Sequence, residues 1–188
     1  MPFVLAVDRS GPRPAPDGRD VEAAAQPAGF ERTTGTELQA VLSDAGAVVD
    51  VALELVRAGG WSIGIGAGPV PALLPESTRA ANGTALLCAR RAIDAARRRP
   101  VRLAVRGQDP VEAGDAQAVL TALAAVVLRR SEQAWAAITL VASGRTQAQA
   151  ATALGISRQA VGQRLAAGQW DLETELRPAA ARLLTRAE

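Results

Sequence analysis

Five side chains within Thr146–Leu165, TQAQAATALGISRQAVGQRL, are suited to nucleic-acid contact: Ser157, Arg158, Gln159, Gln163 and Arg164. A guanidinium can bond both acceptors of guanine, and a carboxamide can pair with adenine, in a major groove that admits one helix. Their spacing places them at the N-terminal end and along one side of a single helix. The apolar residues Ala151, Leu154, Ile156, Val161 and Leu165 are spaced so that this helix crosses a shorter one, with small Ala151 allowing close approach. Thr146-x-x-Gln149 has the pattern of a capping box. Gly155 stands where a tight turn needs positive φ. Ile156 plugs the turn, and Ser157 is placed to cap the second helix. These signals agree on a helix-turn-helix over 146–165, with helices over Gln147–Leu154 and from Ser157 past Leu165. On this reading Ser157, Arg158, Gln159 and Gln163 meet bases, while Arg164, Thr146, Gln147 and Arg145 meet phosphates. Gly162 interrupts the second helix at a cost of about 1 kcal/mol relative to Ala. Close approach to DNA or tight helix packing would each account for it.

Other chemistries are removed by composition. The chain has no His and no Lys, and Cys88 is its sole cysteine. A Ser-His-Asp triad, imidazole metal ligands, Schiff-base chemistry, a P-loop lysine, an internal disulfide and a Cys-rich zinc site are all excluded. No catalytic residue, metal site or cofactor is therefore assigned. Cys88, within ALLCAR, is expected as a small buried hydrophobe. Apolar residues make up 48% of the chain, which argues against disorder, and aromatics only 3%, so the core must be Ala, Val, Leu and Ile. No uninterrupted apolar run approaches the length of a membrane span. The start, MPFVLAVDRSG, lacks the basic segment and long apolar stretch of a signal peptide. A cytoplasmic location is expected.

All 21 positive charges are Arg, and the net charge is +2. The distribution is uneven. Residues 1–78 carry more acids than arginines, whereas residues 79–106 carry eight Arg against Asp94 alone. The run Arg97-Arg98-Arg99 fits either a helix C-terminus, where cations favour the dipole, or phosphate contact. Positive charge in the later part of the chain favours nucleic-acid contact there.

The elements that must position these groups follow from periodicity and punctuation. FVLAV at Phe3–Val7 reads as a buried strand. Residues 9–20 read as a Pro/Gly-rich loop, and 21–26 as a short helical turn. Gly29–Thr33 and Glu37–Leu42 read as a hairpin turning at Thr34-Gly35-Thr36. Ser43 caps a helix over Asp44–Arg57 that Gly59-Gly60 ends. Trp61–Gly66 is a strand with one face stripped to glycine at Gly64 and Gly66, open to close approach by a backbone or a ligand. An irregular loop over 69–82, a helix over Thr84–Arg98 and a strand over Val101–Val105 follow. The expected fold is α+β: a small, mainly antiparallel sheet with two helices on one face, over residues 1–107. A linker at 108–114 leads to a helical domain at 115–188, with helices near 115–130, 132–143 and 171–184 around the helix-turn-helix.

The segment RSEQAWAAITLVASGRTQAQAATALGISRQAVGQRL, and within it LGIS-RQAV-x-x-RL, resembles the helix-turn-helix of sigma-factor promoter-reading domains and MarR-like regulators. Across most of its length the chain resembles the SatD family of bacterial DNA-binding proteins, through FVLAVDRSG, TGTELQAVL, IGIGAGPV, NGTALLCARRAIDAA and VRLAVRG. These segments also resemble a reduced class III nucleotide-cyclase fold. That resemblance implies a metal-binding Asp after the first strand, which Asp8 matches. It implies a second acid after Gly in the hairpin, where this chain has Gly35-Thr36 and then Glu37. A one-residue shift turns a strand side chain to the opposite face, so Glu37 is expected to point away from Asp8. Two-metal phosphoryl chemistry needs paired carboxylates, so the N-terminal domain is expected to sense or dimerise rather than catalyse. Together these features imply a sequence-specific, double-stranded DNA-binding regulator acting as a homodimer, with a small-molecule or nucleotide effector as a further partner and no membrane. A nucleotide-binding sensor or a residual cyclase is the alternative.

Overall fold

The computed structural model describes residues 2–9, 29–33, 37–69 and 83–188. The strands among them are β1 (Phe3–Asp8), β2 (Glu31–Arg32), β3 (Glu37–Leu42), β4 (Ser62–Ala67) and β5 (Leu103–Arg106). The helices are α1 (Ala45–Ala58), α2 (Thr84–Ala96), α3 (Pro110–Leu128), α4 (Glu132–Ala142), α5 (Gln147–Leu154), α6 (Arg158–Ala167) and α7 (Trp170–Arg186). The fold is α+β. The expected hairpin turn at 34–36, the helical turn at 21–26, the loop over 10–20 and residues 70–82 lie outside the described residues.

The sheet has the order β2-β3-β1-β4-β5. Central β1 runs antiparallel to both β3 and β4, β2 is antiparallel to β3, and β5 alone pairs in parallel, with β4. A strand flanked on both sides and covered on both faces must be apolar throughout, which is why Phe3 to Val7 are continuously apolar and buried. Phe3, Leu5 and Val7 face a large core with Ile63, Ile65 and the helices α1, α3 and α7. Val4 and Ala6 face α2 instead.

The two helices of the α/β layer therefore lie on opposite faces of the sheet, not on one face as expected. The connections β3-α1-β4 and β4-α2-β5 join parallel strands and step in the same direction across the sheet. Helices on opposite faces then require crossovers of opposite hand. Nearly all such crossovers are right-handed, and that default gives same-face placement. The glycines of β4 let α2 seat closely on its face. A Cβ on Gly66 would lie 2.1 Å from the Ala85 carbonyl oxygen, and one on Gly64 would lie 2.4 Å from Ile93 N. The glycine face is filled by the backbone of α2, so it is not open to a ligand.

Two boundaries also differ. Asp44, rather than Ser43, caps α1: its carboxylate accepts from Gly46 N at 3.1 Å and Ala47 N at 3.3 Å. Residues 110–114, expected within a linker, form the first turn of α3. Asp109 accepts from Val111 N at 2.8 Å and Glu112 N at 3.1 Å, and Pro110 takes the first helical position, where its missing N–H costs nothing. The core does not break there. Leu120, Leu123 and Val127 of α3 and Leu184 of α7 join the same cluster as the sheet. The separate cluster belongs to α4, α5 and α6.

Among the described residues, α3 is the one helix long and apolar enough on average to cross a membrane. Glu112, Asp115 and Gln117 break its apolar run, and Ala113, Ala116, Leu120, Leu123, Ala124 and Val127 bury one side of it in the core. Cys88 is buried, and that burial pushes its thiol pKa up against the lowering influence of Arg91 and Arg106.

Candidate nucleic-acid interface

Short-range signals build the helix-turn-helix. Thr146 Oγ1 accepts from Gln149 N at 3.2 Å, and Gln149 Oε1 accepts from Thr146 N at 2.9 Å, so the capping box is closed on both sides. Gly155 adopts φ 64° and ψ 32°, the left-handed conformation that ends α5. Ser157 Oγ accepts from Ala160 N at 3.1 Å and starts α6. Its hydroxyl can still donate.

The inner faces of these helices pack on α4. Ala151, Val161 and Leu165 are buried together with Ala134, Ala137 and Ile138, and Leu154 and Ile156 pack at the margin. All five apolar positions expected at the crossing are therefore in one cluster. Helix α4 is the support that the sequence motif did not specify. Gly168, between α6 and α7, is set by it: a Cβ there would stand 2.7 Å from Ile138 Cδ1.

The outer face gathers the expected contact residues. Ser157, Arg158, Gln159 and Gln163 are exposed on α6, as are Arg145, Thr146 and Gln147 at the start of α5. Arg164 is half-buried. Between Glu132 and Asp171 the chain carries Arg145, Arg158 and Arg164 and no acidic residue. A polyanion approaching this surface meets positive charge with no carboxylate in the same stretch. Gly162 is not needed for packing, because a Cβ there would meet only Gln147 Oε1, at 3.8 Å.

Sequence reasoning missed how this unit is held to the rest of the molecule. Arg130, in the turn between α3 and α4, donates from Nε to the Gly168 carbonyl at 2.7 Å and forms an ion pair with Glu173 of α7. Glu173 also pairs with Arg177, which reaches Asp50 on α1. Trp135 of α4 packs against both the main core and the helix-turn-helix cluster. The Arg57 guanidinium lies over its ring at 3.8 Å from the centroid, and that of Arg130 at 4.7 Å. Glu173 and Arg177 have the i, i+4 spacing of a helix pair, which was legible. Arg130 and Asp50 come from distant parts of the chain and carry no such signal.

The acidic positions implied by the cyclase resemblance are placed differently from expectation. Asp8 and Glu37 are direct cross-strand partners in the β1–β3 register, so they share the face toward α2. The one-residue displacement does not turn Glu37 away. Asp8 nevertheless accepts from Arg97 Nε at 3.2 Å and Nη2 at 2.9 Å, and Glu37 Oε1 accepts from Gln39 Nε2 at 2.8 Å. Arg97 also bonds Asp94 at 2.8 Å. The first arginine of the Arg97-Arg98-Arg99 run thus ties α2 to β1. Among the described residues no group of three or more His, Cys, Asp or Glu is placed to hold a metal ion. Comparison with protein-family models, curated proteins and solved structures finds no significant match.

Proposed function

We propose that the chain is a sequence-specific, double-stranded DNA-binding protein that regulates transcription, with α6 as the helix that enters the major groove. The observation that carries this reading is the division of α6 into two faces. Val161 and Leu165 are buried against α4 and α5, while Ser157, Arg158, Gln159 and Gln163 project outward with no acidic neighbour in sequence. Arg158 and Gln159, in the first turn, are the base readers. Arg145, Thr146, Gln147 and Arg164 hold phosphates and fix the register. The SatD and sigma-factor resemblances point the same way. One helix-turn-helix reads only a few base pairs, so the working form is a homodimer on paired half-sites.

Arg158→Ala is expected to weaken binding to the preferred site by about 1–3 kcal/mol and relax selectivity at one base pair. A gel-shift titration against the site and its single-base variants measures both. Unchanged affinity and selectivity would remove Arg158 from the interface. Gly162→Ala separates stability from function. With no packing need for glycine, the variant should stabilise the fold by up to about 1 kcal/mol. If α6 approaches DNA closely at Gly162, the same variant binds DNA more weakly while melting higher. A variant that gains stability and keeps full affinity would place Gly162 away from the duplex.

A further inference from the structure

We infer that the outward face of α3 is a self-association surface, on which a second copy of this chain packs antiparallel about a two-fold axis at Ala122. Helix α3 is apolar on its outer side as well as its inner one, and a helix of that kind is ordinarily buried all round. The core takes one side of it, from Ala113 to Val127. On the other side Val111, Ala118 and Ala122 are exposed, Val111 by 70%, and Ala125 is half-buried. At 3.6 residues per turn these four fall within about 40° of one line along the helix, as do Asp115 and Arg129.

The charges at the ends of this face identify its occupant. Asp115 and Arg129 are exposed and opposite in sign. Neither is in an ion pair with another described residue. They stand equally far from Ala122, about 10 Å along the helix in opposite directions. Laid antiparallel across Ala122, two copies of α3 set each Asp115 beside Arg129 of the partner subunit, and symmetry makes both pairs at once. A parallel arrangement would instead oppose like charges. Between the pairs Ala118 and Ala122 carry only methyl groups, so the helix axes can approach to about 8 Å. Exposed ion pairs add little affinity, so the apolar centre holds the two copies together and the charges fix direction and register. A lipid surface is a poorer occupant. Helices that lie on membranes carry cations along the polar margin, whereas this margin has Glu112 and Asp115.

The pairing supplies the homodimer that the DNA-binding reading calls for, and only its use on DNA rests on that reading. Helix α3 leads through Arg129 and Arg130 directly into α4, which supports α5 and α6. Pairing of α3 therefore sets where the two α6 helices stand relative to one another.

The test uses the full chain without DNA. Sedimentation velocity from about 1 to 100 μM should show a monomer–dimer equilibrium. Ala122→Glu sets two carboxylates against each other at the axis and should weaken the dimer about tenfold or more. Its circular dichroism should match the parent, because the position is exposed. Asp115→Arg and Arg129→Asp should each weaken the dimer about fivefold, and the double variant should restore it. Mild oxidation reads the register, with the parent as blank because Cys88 is buried. Ala122→Cys should link to its own copy. Ala118→Cys should not, because its two Cα atoms would lie more than about 10 Å apart, beyond the reach of a disulfide. A parent that stays monomeric, or a dimer indifferent to Ala122→Glu and to both charge changes, would overturn the surface. A monomeric parent that floats with lipid vesicles would give the face to lipid and overturn the pairing. Linking of Ala118→Cys as fast as Ala122→Cys would overturn the antiparallel register. The dimer is read without DNA and base selectivity through Arg158→Ala, so failure of one is distinguishable from failure of the other.

Discussion

Glu173→Ala is expected to destabilise the protein by about 3–5 kcal/mol, the typical cost of orphaning a buried charge. The side chains of Arg130 and Glu173 are each only 1% exposed. Their contact is an ion pair rather than an aligned hydrogen bond, and Arg130 Nη1 is already buried without a hydrogen-bond partner. Removing the carboxylate leaves a guanidinium in the interior with no anion beside it, held by the Gly168 carbonyl and the Trp135 ring. The alternative to a charged pair is an apolar one. The double change Arg130→Met with Glu173→Leu should therefore cost much less than the single change, because no fully buried charge is orphaned and the partly exposed Arg177 keeps Asp50. Asp50→Ala supplies the contrast, since Asp50 is 64% exposed and its ion pair with Arg177 is worth no more than about 1 kcal/mol. Urea unfolding of the three variants measures all of this. A loss below about 1 kcal/mol for Glu173→Ala would show that water reaches the pair.

Gly66→Ala is the second large effect, expected at about 3 kcal/mol through overpacking. The added methyl would stand 2.1 Å from Ala85 O and 2.4 Å from Ala89 N, and these are backbone atoms of a regular helix. No rotamer change relieves the clash, so α2 must move off β4 and give up its packing on Val4 and Ala6. Gly114→Ala is the matched control. It lies within α3, nothing stands within 4 Å of its Cβ position, and the change should stabilise the helix by about 0.5–1 kcal/mol. Denaturant midpoints of the two variants should shift in opposite directions. A Gly66→Ala midpoint equal to the parent would contradict the close seating of α2.

The sequence made the helix-turn-helix legible because every signal that builds it is local. Thr146, Gln149, Gly155 and Ser157 each act on groups no more than four residues away along the chain, and each does in the structure what its type implies. The same holds for β1, whose unbroken apolar run marks a central strand. Non-local geometry was harder to read. Gly64 and Gly66 announced a close approach, but periodicity did not say that the approaching backbone is α2 on the far face. The spacing of Gly35, Thr36 and Glu37 along one strand does not fix which face Glu37 takes relative to Asp8, because the pairing of β3 with β1 sets it. Pro110 is punctuation that a linker and a helix start share, and Asp109-Pro110 with Glu112 in the first turn is how a helix begins. Arg130, Trp135 and Glu173 stood out in no local pattern. Their role comes from three separate segments meeting at one place.

The central claim is that α6 reads base pairs. The most direct measurement is selection from a pool of random DNA duplexes by the full chain, at fixed salt because phosphate contacts make affinity ionic-strength dependent. The parent is expected to enrich a motif of two related half-sites, and Arg158→Ala to enrich one degenerate at a single position in each half. Recovery of an unenriched pool by the parent, with equal retention of all duplexes, would contradict base reading by α6.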